Sequence, residues 1–130
     1  MAYGAYFKAN GNTTEVWLGG EWEERIELTL RAKDIALLGK KLIRLADGWR
    51  KGFVFTLEGV PSSLTVTAKR CHRNKMPLLT FEYEDVHPHF ESRCTNTFYY
   101  DSFSLSEIAE LGQALLEYQK SGFAFIGDIK

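Results

Sequence analysis

The sequence has few of the residues that define disulfide-rich, disordered or membrane-spanning proteins. It contains only two cysteines in 130 residues, which gives no disulfide framework and suits a reducing compartment. Three prolines and the lack of a low-complexity run argue against disorder. No apolar stretch approaches the roughly 20 residues of a membrane-spanning helix, and the first ten residues lack the basic and apolar blocks of a signal peptide. We therefore expect a cytoplasmic protein that makes no contact with a membrane.

Sequence motifs of the common enzyme classes are also missing. The chain has no G-x-S-x-G, no P-loop, no G-x-G-x-x-G and no H-E-x-x-H. We expect a protein that is not an enzyme and that needs no cofactor.

What is present is the composition of an ordinary globular protein. Hydrophobic residues make up 45% of the chain and charged residues 25%, and a length of 130 residues predicts a single domain over 1–130. Most aromatic residues fall at positions that alternation places inward, so we expect most of the rings in the core.

The first half predicts strands followed by a helix. Asn10-Gly11 lies between two strand-like runs and indicates a hairpin turn. The segment ERIELTLRA then alternates apolar and polar residues, which is typical of a half-buried strand. From Lys33 the apolar period becomes helical, with Ile35, Leu38, Leu42, Leu45 and Trp49 on one face.

The second half repeats this arrangement. Strand patterns occupy FVFTLEG, LTVTAK, LLTFEYED and TNTFYY, and Ser104 with Glu107 forms a capping box that begins a second helix. GFAFIG predicts a final short strand. The two helices align without a gap, so that Ile35 matches Ile108 and Gly39 matches Gly112. We interpret residues 1–50 and 52–122 as an internal repeat. The predicted fold is α+β: seven or eight mostly antiparallel strands, in a duplicated strands-helix unit, packed on two amphipathic helices.

This topology resembles the Whirly-like fold, a duplicated ββββα unit, although the first half supplies three strands rather than four. The resemblance implies binding of single-stranded nucleic acid. Four basic residues of the second half are the candidates for that function: Lys69, Arg70, Arg73 and Lys75. We expect these four residues to cluster beside the basic residues of the first helix, which are Lys33, Lys40, Lys41 and Arg44. A pI near 6.3 argues against a phosphate backbone as the main partner.

Every histidine and cysteine lies between positions 71 and 94. The set is Cys71, His72, His87, His89 and Cys94. Imidazole and thiolate are good zinc ligands, and a histidine beside Lys69 or Arg70 suits a general base next to a bound phosphate. A zinc-binding or small hydrolytic protein is therefore a second alternative. No paired C-x-x-C or H-x3-5-H spacing supports it, and we expect a polar connection at a sheet edge.

Charge is distributed unevenly along the chain. Residues 1–76 carry 13 basic and 8 acidic residues, whereas 77–130 carry 3 basic and 9 acidic residues. The acidic candidates for binding a partner are Glu82, Glu84, Asp85, Asp101, Glu107, Glu110 and Glu117. An exposed acidic surface accelerates association with a basic protein. In profile, the chain resembles small bacterial immunity proteins, which neutralise toxins. The resemblance implies an inhibitor that binds a cognate toxin, such as a nuclease, and blocks its substrate-binding surface.

Overall fold

The computed structural model describes residues 3–19, 24–48, 52–70, 77–86 and 93–128. These residues form nine strands and three helices, and all the strand pairs among them are antiparallel. The strands are β1 (Tyr3–Asn10), β2 (Thr13–Gly19), β3 (Glu24–Leu30), β4 (Phe53–Leu57), β5 (Gly59–Val60), β6 (Leu64–Arg70), β7 (Pro77–Val86), β8 (Arg93–Tyr100) and β9 (Phe123–Asp128). The helices are α1 (Ala32–Ala46), α2 (Leu105–Leu116) and α3 (Tyr118–Ser121). The α+β class and the mostly antiparallel pairing that the sequence predicts are confirmed.

Sheet I takes strands from both ends of the chain. Its spatial order is β5-β3-β2-β1-β9. β1 and β2 form the predicted hairpin, but Asn10 pairs with Thr13, so the turn consists of Gly11 and Asn12. Gly11 has a φ of 62°, which glycine adopts without steric cost. At the other side of β1, Tyr3 lies opposite Asp128 of β9. The final strand that the sequence predicts is therefore an edge strand of the first sheet.

Sheet II is a simple meander with the order β4-β6-β7-β8. The predicted VPSS turn lies between β4 and β6, and part of it pairs with β3 as the two-residue strand β5. This short strand is the one addition to the eight strand patterns of the sequence, and it brings the described number to nine. Alternation gives sheet II a buried face, where Val66 lies opposite Phe81 and Ala68 opposite Leu79.

The two long helices contact each other at their matched glycines. A Cβ atom placed on Gly39 would lie 2.5 Å from the carbonyl oxygen of Gly112, and one placed on Gly112 would lie 2.7 Å from the carbonyl oxygen of Gly39. No side chain fits at either position. Glycine in the middle of an α-helix costs about 1 kcal/mol relative to alanine. The close approach of the two helices explains why glycine is nevertheless present at both positions.

Helix α2 begins at the predicted capping box. Ser104 Oγ accepts a hydrogen bond from the amide of Glu107 at 3.2 Å, and the Glu107 carboxylate accepts one from the amide of Ser104 at 3.1 Å. Its apolar stripe, Ile108, Leu111 and Leu115, is buried. The stripe of α1 is buried in the same way at Ile35, Leu38, Leu42 and Leu45.

The two sheets and the helices share one cluster of buried side chains. The rings of Phe7 in sheet I and Phe81 in sheet II lie 6.1 Å apart between centroids. Tyr100 joins the sheets through its hydroxyl, which donates to the carbonyl oxygen of Gly4 at 2.9 Å. Burial raises the pKa of Tyr100 far above its ordinary value, and a hydrogen bond with the Gly19 backbone offsets part of this. Burial likewise raises the pKa of Tyr118. Both hydroxyls are therefore neutral structural groups at physiological pH.

Candidate binding surface

Four aromatic side chains lie together on the outer face of sheet I. They are Tyr6, Trp17, Phe123 and Phe125, which we call the aromatic surface. The neighbouring residues Ala5, Phe7, Ala124 and Ile126 are buried, and alternation along the strands therefore turns the four rings outward. Tyr6 lies opposite Trp17 on one side and Phe125 on the other.

The rings of the aromatic surface contact one another. Centroid distances are 6.5 Å for Tyr6 and Trp17, 5.2 Å for Tyr6 and Phe123, and 5.3 Å for Phe123 and Phe125. Even so, Phe123 is 41% exposed and Phe125 is 48% exposed. Single exposed apolar residues are common, but a contiguous aromatic group on a protein surface is a candidate interaction site.

A buried carboxylate fixes the position of Trp17. Glu15 is 6% exposed and its Oε1 accepts a hydrogen bond from the indole Nε1 of Trp17 at 2.5 Å. The same oxygen lies 3.0 Å from Nε of Arg25, whose guanidinium lies 5.2 Å from the centre of the Trp17 ring. Trp17 is therefore held by a charge-assisted hydrogen bond and a cation–π contact within the chain itself. Such preorganisation reduces the entropy that is lost on binding.

A groove lies between strand β9 and helix α2. It has a volume of about 250 Å³ and is lined by Glu107, Glu110 and Ala114 of α2 and by residues 123–127 of β9. We call it the acidic groove. Phe123 and Phe125 belong to both the groove and the aromatic surface, so the two features form one continuous site.

The acidic side chains of α2 lie on the side of the helix away from its buried stripe. Glu110 and Glu117 are exposed, as the helical period predicts, and Glu107 is partly exposed. Glu107 is held by Ser104, whereas Glu110 has no ion-pair partner among the described residues. Glu117 accepts a hydrogen bond from the Gln113 side chain at 3.3 Å. The groove therefore has a negative wall along α2 and an apolar wall along β9.

The other predicted acidic residues lie elsewhere. Glu82 and Glu84 belong to β7 and line a polar pocket of about 400 Å³ with Thr65 and Thr95. The Glu82 carboxylate accepts a hydrogen bond from Thr97 at 3.2 Å. Asp101 is exposed and directly follows β8, and Asp85 belongs to β7. Two of the seven acidic candidates thus line the polar pocket and two line the acidic groove, and the two cavities share no lining residue. The structure does not bring the candidates together in one site.

Of the predicted basic residues, all but two lie within the described part of the chain. Lys69 is exposed on β6 and Arg70 ends that strand, while Arg73 and Lys75 lie outside the described residues. On α1, Lys33, Lys40 and Arg44 are exposed. Lys41 is partly buried, with its ammonium nitrogen 5.8 Å from the centre of the Phe53 ring and 5.5 Å from that of Phe55. Lys41 therefore covers the start of sheet II.

The histidine and cysteine candidates mostly fall outside the described residues. Cys71, His72, His87 and His89 lie there, and Cys94 belongs to β8. Within the described ranges, no group of three histidine, cysteine, aspartate or glutamate side chains is arranged to hold a metal ion. Four of the five ligand candidates of the zinc-binding alternative thus lie outside the described residues.

Comparison with known proteins gives no relative for this site. No family model, no curated protein and no solved structure matches the chain. In the described ranges, no helix has the length and apolar character needed to cross a bilayer.

Sequence reasoning predicts β9 but does not identify the aromatic surface. The expectation that most rings are buried holds for Phe7, Phe81 and Tyr100, but not for the four rings of sheet I. A signal is present in the chain: the pattern G-F-x-F follows each long helix, at residues 52–55 and at 122–125. Both glycines have positive φ, 66° at Gly52 and 71° at Gly122.

Proposed function

We propose that the protein is a non-enzymatic binding module that captures a basic protein through the aromatic surface and the acidic groove. The immunity-type inhibitor that the sequence profile implies is a protein of this kind. The partner would then be a toxin, such as a nuclease, whose substrate-binding surface is positively charged.

One observation carries this proposal: the two G-F-x-F segments present their phenylalanines differently. In β4, Phe53 is buried and Phe55 is partly buried, and both rings lie near Lys41. In β9, Phe123 and Phe125 are exposed and Ala124 is buried instead. A one-residue difference in phase moves each side chain of a strand to the other face. Packing does not require exposed rings in β9, so a binding role is the better explanation.

The composition of the site favours a protein partner. Tryptophan, tyrosine and arginine are enriched at the residues that dominate binding energy, and Trp17, Tyr6 and Arg25 lie side by side. The adjacent carboxylates of Glu107 and Glu110 favour a partner of positive charge and increase its association rate. Binding here would cover the partner's basic surface and thereby exclude its nucleic-acid substrate.

We also infer that the fold is a duplication of a four-strand-plus-helix unit. The support is the strand order: β9, β1, β2 and β3 are successive neighbours in sheet I, as β4, β6, β7 and β8 are in sheet II. A long helix follows β3 in one unit and β8 in the other. The fourth strand that the first half lacks would then be supplied by β9. This is the unit that the Whirly-like resemblance implies.

A single-stranded nucleic acid is the second candidate partner, because aromatic rings on a sheet are suited to stacking bases. Lys8 and Arg25 lie on the same outer face, opposite Glu15 and Trp17 respectively. The carboxylates of Glu27, Glu107 and Glu110 around the site oppose a phosphate backbone.

The proposal is tested by copurification with matched variants. The tagged protein is expressed in its native cell and purified with and without nuclease treatment. One variant is Phe123→Ser with Phe125→Ser. The control is Val54→Ser with Tyr99→Ser, which removes two side chains that are 67% and 64% exposed on sheet II. We expect a stoichiometric, nuclease-resistant protein partner that the control retains and the Phe123/Phe125 variant loses.

Other results would contradict the proposal. Loss of the partner from the Val54/Tyr99 variant alone would place the binding site on sheet II. Recovery of nucleic acid that nuclease removes, without a protein, would favour the second candidate.

The role of charge is tested by association rates with the purified partner. We expect Glu110→Lys to slow association by about tenfold or more at low ionic strength, and the difference should shrink as salt is added. Glu82→Lys with Glu84→Lys is the control, since these residues line a separate pocket. A larger effect in the control than in Glu110→Lys would assign steering to sheet II.

A further inference from the structure

The outer edge of β9 carries backbone groups that no strand uses. β9 pairs with β1 on one side, and no described strand lies on its other side. The amide of Ala9 donates to the carbonyl oxygen of Gly122 at 2.8 Å, which fixes the phase of the ladder. Hydrogen-bonded pairs alternate in an antiparallel ladder. Ala124 and Ile126 therefore bond to β1, while Phe123 and Phe125 direct their amides and carbonyls away from it.

The side chain of Ser121 agrees with this phase. Its Oγ accepts a hydrogen bond from the Phe123 amide at 3.3 Å and donates one to the Phe123 carbonyl oxygen at 3.0 Å. Ser121 thus occupies the outward amide and carbonyl of Phe123. At Phe125 no hydrogen bond to the outward amide or carbonyl is made by the described residues. The next outward residue of the ladder is Gly127, which lines the acidic groove together with Phe125.

Other sheet edges differ from β9. β5 has two residues and is followed by Pro61, and proline cannot donate to a further strand. β4 lies beneath Lys41. Tyr3 lies against β8, with its hydroxyl donating to the carbonyl oxygen of Tyr99 at 3.4 Å. Among these edges, β9 alone combines exposed rings, an adjoining groove and an open backbone.

We propose that β9 accepts an extended segment of the partner protein, which pairs with Phe125 as an additional strand of sheet I and runs between β9 and α2. This inference rests on the proposed function. Main-chain hydrogen bonds would supply affinity, as they do in strand addition to other sheet edges, and side chains at alternate positions would supply specificity.

The two walls of the site determine the chemistry of that segment. One face of an added strand would lie beside Phe123 and Phe125, and would carry apolar side chains. The other face would lie towards α2, where Glu107 and Glu110 favour lysine or arginine and Ala114 leaves room for their aliphatic stems. The segment therefore alternates apolar and basic residues.

The test uses a short acetylated peptide that alternates lysine and valine, titrated into the 15N-labelled full chain and followed by NMR. We expect the amide signals of Phe125 and Gly127 to shift and to become protected from exchange. A peptide that alternates glutamate and valine is the control and should not bind, because Glu110 and Glu107 repel it.

A pair of variants separates the backbone from the ring. Phe125→Ala removes the ring and keeps the outward amide, whereas Phe125→Pro removes both. Because the amide of Phe125 does not bond to β1, proline leaves the ladder intact, and proline is tolerated on edge strands. We expect the lysine–valine peptide to bind about two- to tenfold more weakly to Phe125→Pro than to Phe125→Ala, the effect of one lost hydrogen bond. Folding of both variants is checked by their amide spectra.

Four results would overturn strand addition. The first is equal binding by the two variants, which would leave the proposed function intact, since only the mode of binding fails. The second is absence of any binding by the lysine–valine peptide. The third is self-association of the wild-type chain that Phe125→Pro abolishes, because the edge would then pair with a second copy. The fourth is binding of oligothymidylate in place of the peptide. Failure of the proposed function itself is recognised separately, by copurification of the same protein with the Phe123→Ser/Phe125→Ser variant.

Discussion

Glu15 shows how one residue can determine the shape of the aromatic surface. A carboxylate is rarely buried unless it is paired, and Glu15 is paired twice, with Arg25 and with the indole of Trp17. The two partners occupy the outer face of sheet I, so a buried charge orders a partly exposed ring. Trp17 lies two residues from Glu15 on β2, and Arg25 lies on the neighbouring strand β3. Neither pairing follows from composition.

We expect Glu15→Gln to lower the free energy of unfolding by about 1–3 kcal/mol, because an amide replaces the ionised acceptor of a charge-assisted hydrogen bond and an ion pair. The measurement is urea unfolding followed by far-UV circular dichroism. Glu27→Gln is the matched control, since Glu27 lies opposite Glu15 on β3 but is exposed; it should change stability by less than about 0.5 kcal/mol. An equal effect of both substitutions would show that the buried pair has no special role.

At the scale of elements, the helix pair is the part of the fold that the sequence predicts best. The helical period predicts the buried faces of α1 and α2, and the matched glycines predict a close approach. These signals are local, since residues three or four apart share one face of a helix. The contact itself is between backbones, which explains why two glycines recur at the same position.

Gly39→Ala tests whether that contact decides stability. Helix propensity alone would make alanine more stable by about 1 kcal/mol. The added Cβ would instead lie 2.5 Å from the carbonyl oxygen of Gly112, and a backbone atom cannot rotate away. We expect a net loss of about 1–3 kcal/mol by chemical denaturation, whereas Gln113→Ala, at an exposed position of α2, should be near neutral. A gain in stability from Gly39→Ala would contradict the close packing.

Strand β9 shows the limit of prediction from sequence. Its pattern predicts a strand, but not a neighbour, because the pairing with β1 joins residues at opposite ends of the chain. Alternation separates the two faces of β9 without saying which is buried, and both Phe-x-Phe and Ala-x-Ile are reasonable inner faces. The acidic residues of α2 could be predicted as exposed. Their proximity to Phe123 and Phe125 could not, because it depends on the position of β9.

For the whole molecule, the order of the strands suggests that the chain could be circularly permuted so that β9 directly precedes β1. Tyr3 and Asp128 lie opposite each other on antiparallel neighbours, so a hairpin loop of about 2–5 residues can join them. A circular permutant that begins at Gly122, continues through β9 into β1 and ends at Ser121 should keep both sheets. Its two units would each be continuous in sequence.

We expect this permutant to unfold cooperatively and to give the dispersed amide spectrum of the parent chain. A second permutant, with the same linker but opened between Val16 and Trp17, is the control and should fold poorly, because it interrupts the central strand β2. An unfolded Gly122 permutant would contradict the inferred four-strand unit.

The β1–β9 pairing also has a consequence during synthesis. Tyr6 and Phe125 are cross-strand neighbours, yet 119 positions separate them in the chain. At about 5–20 residues per second, the ribosome needs roughly 6–24 s to add the second ring after the first. Until then, the edge of β1 that β9 covers is open. The nascent chain therefore has no complete aromatic surface until β9 emerges.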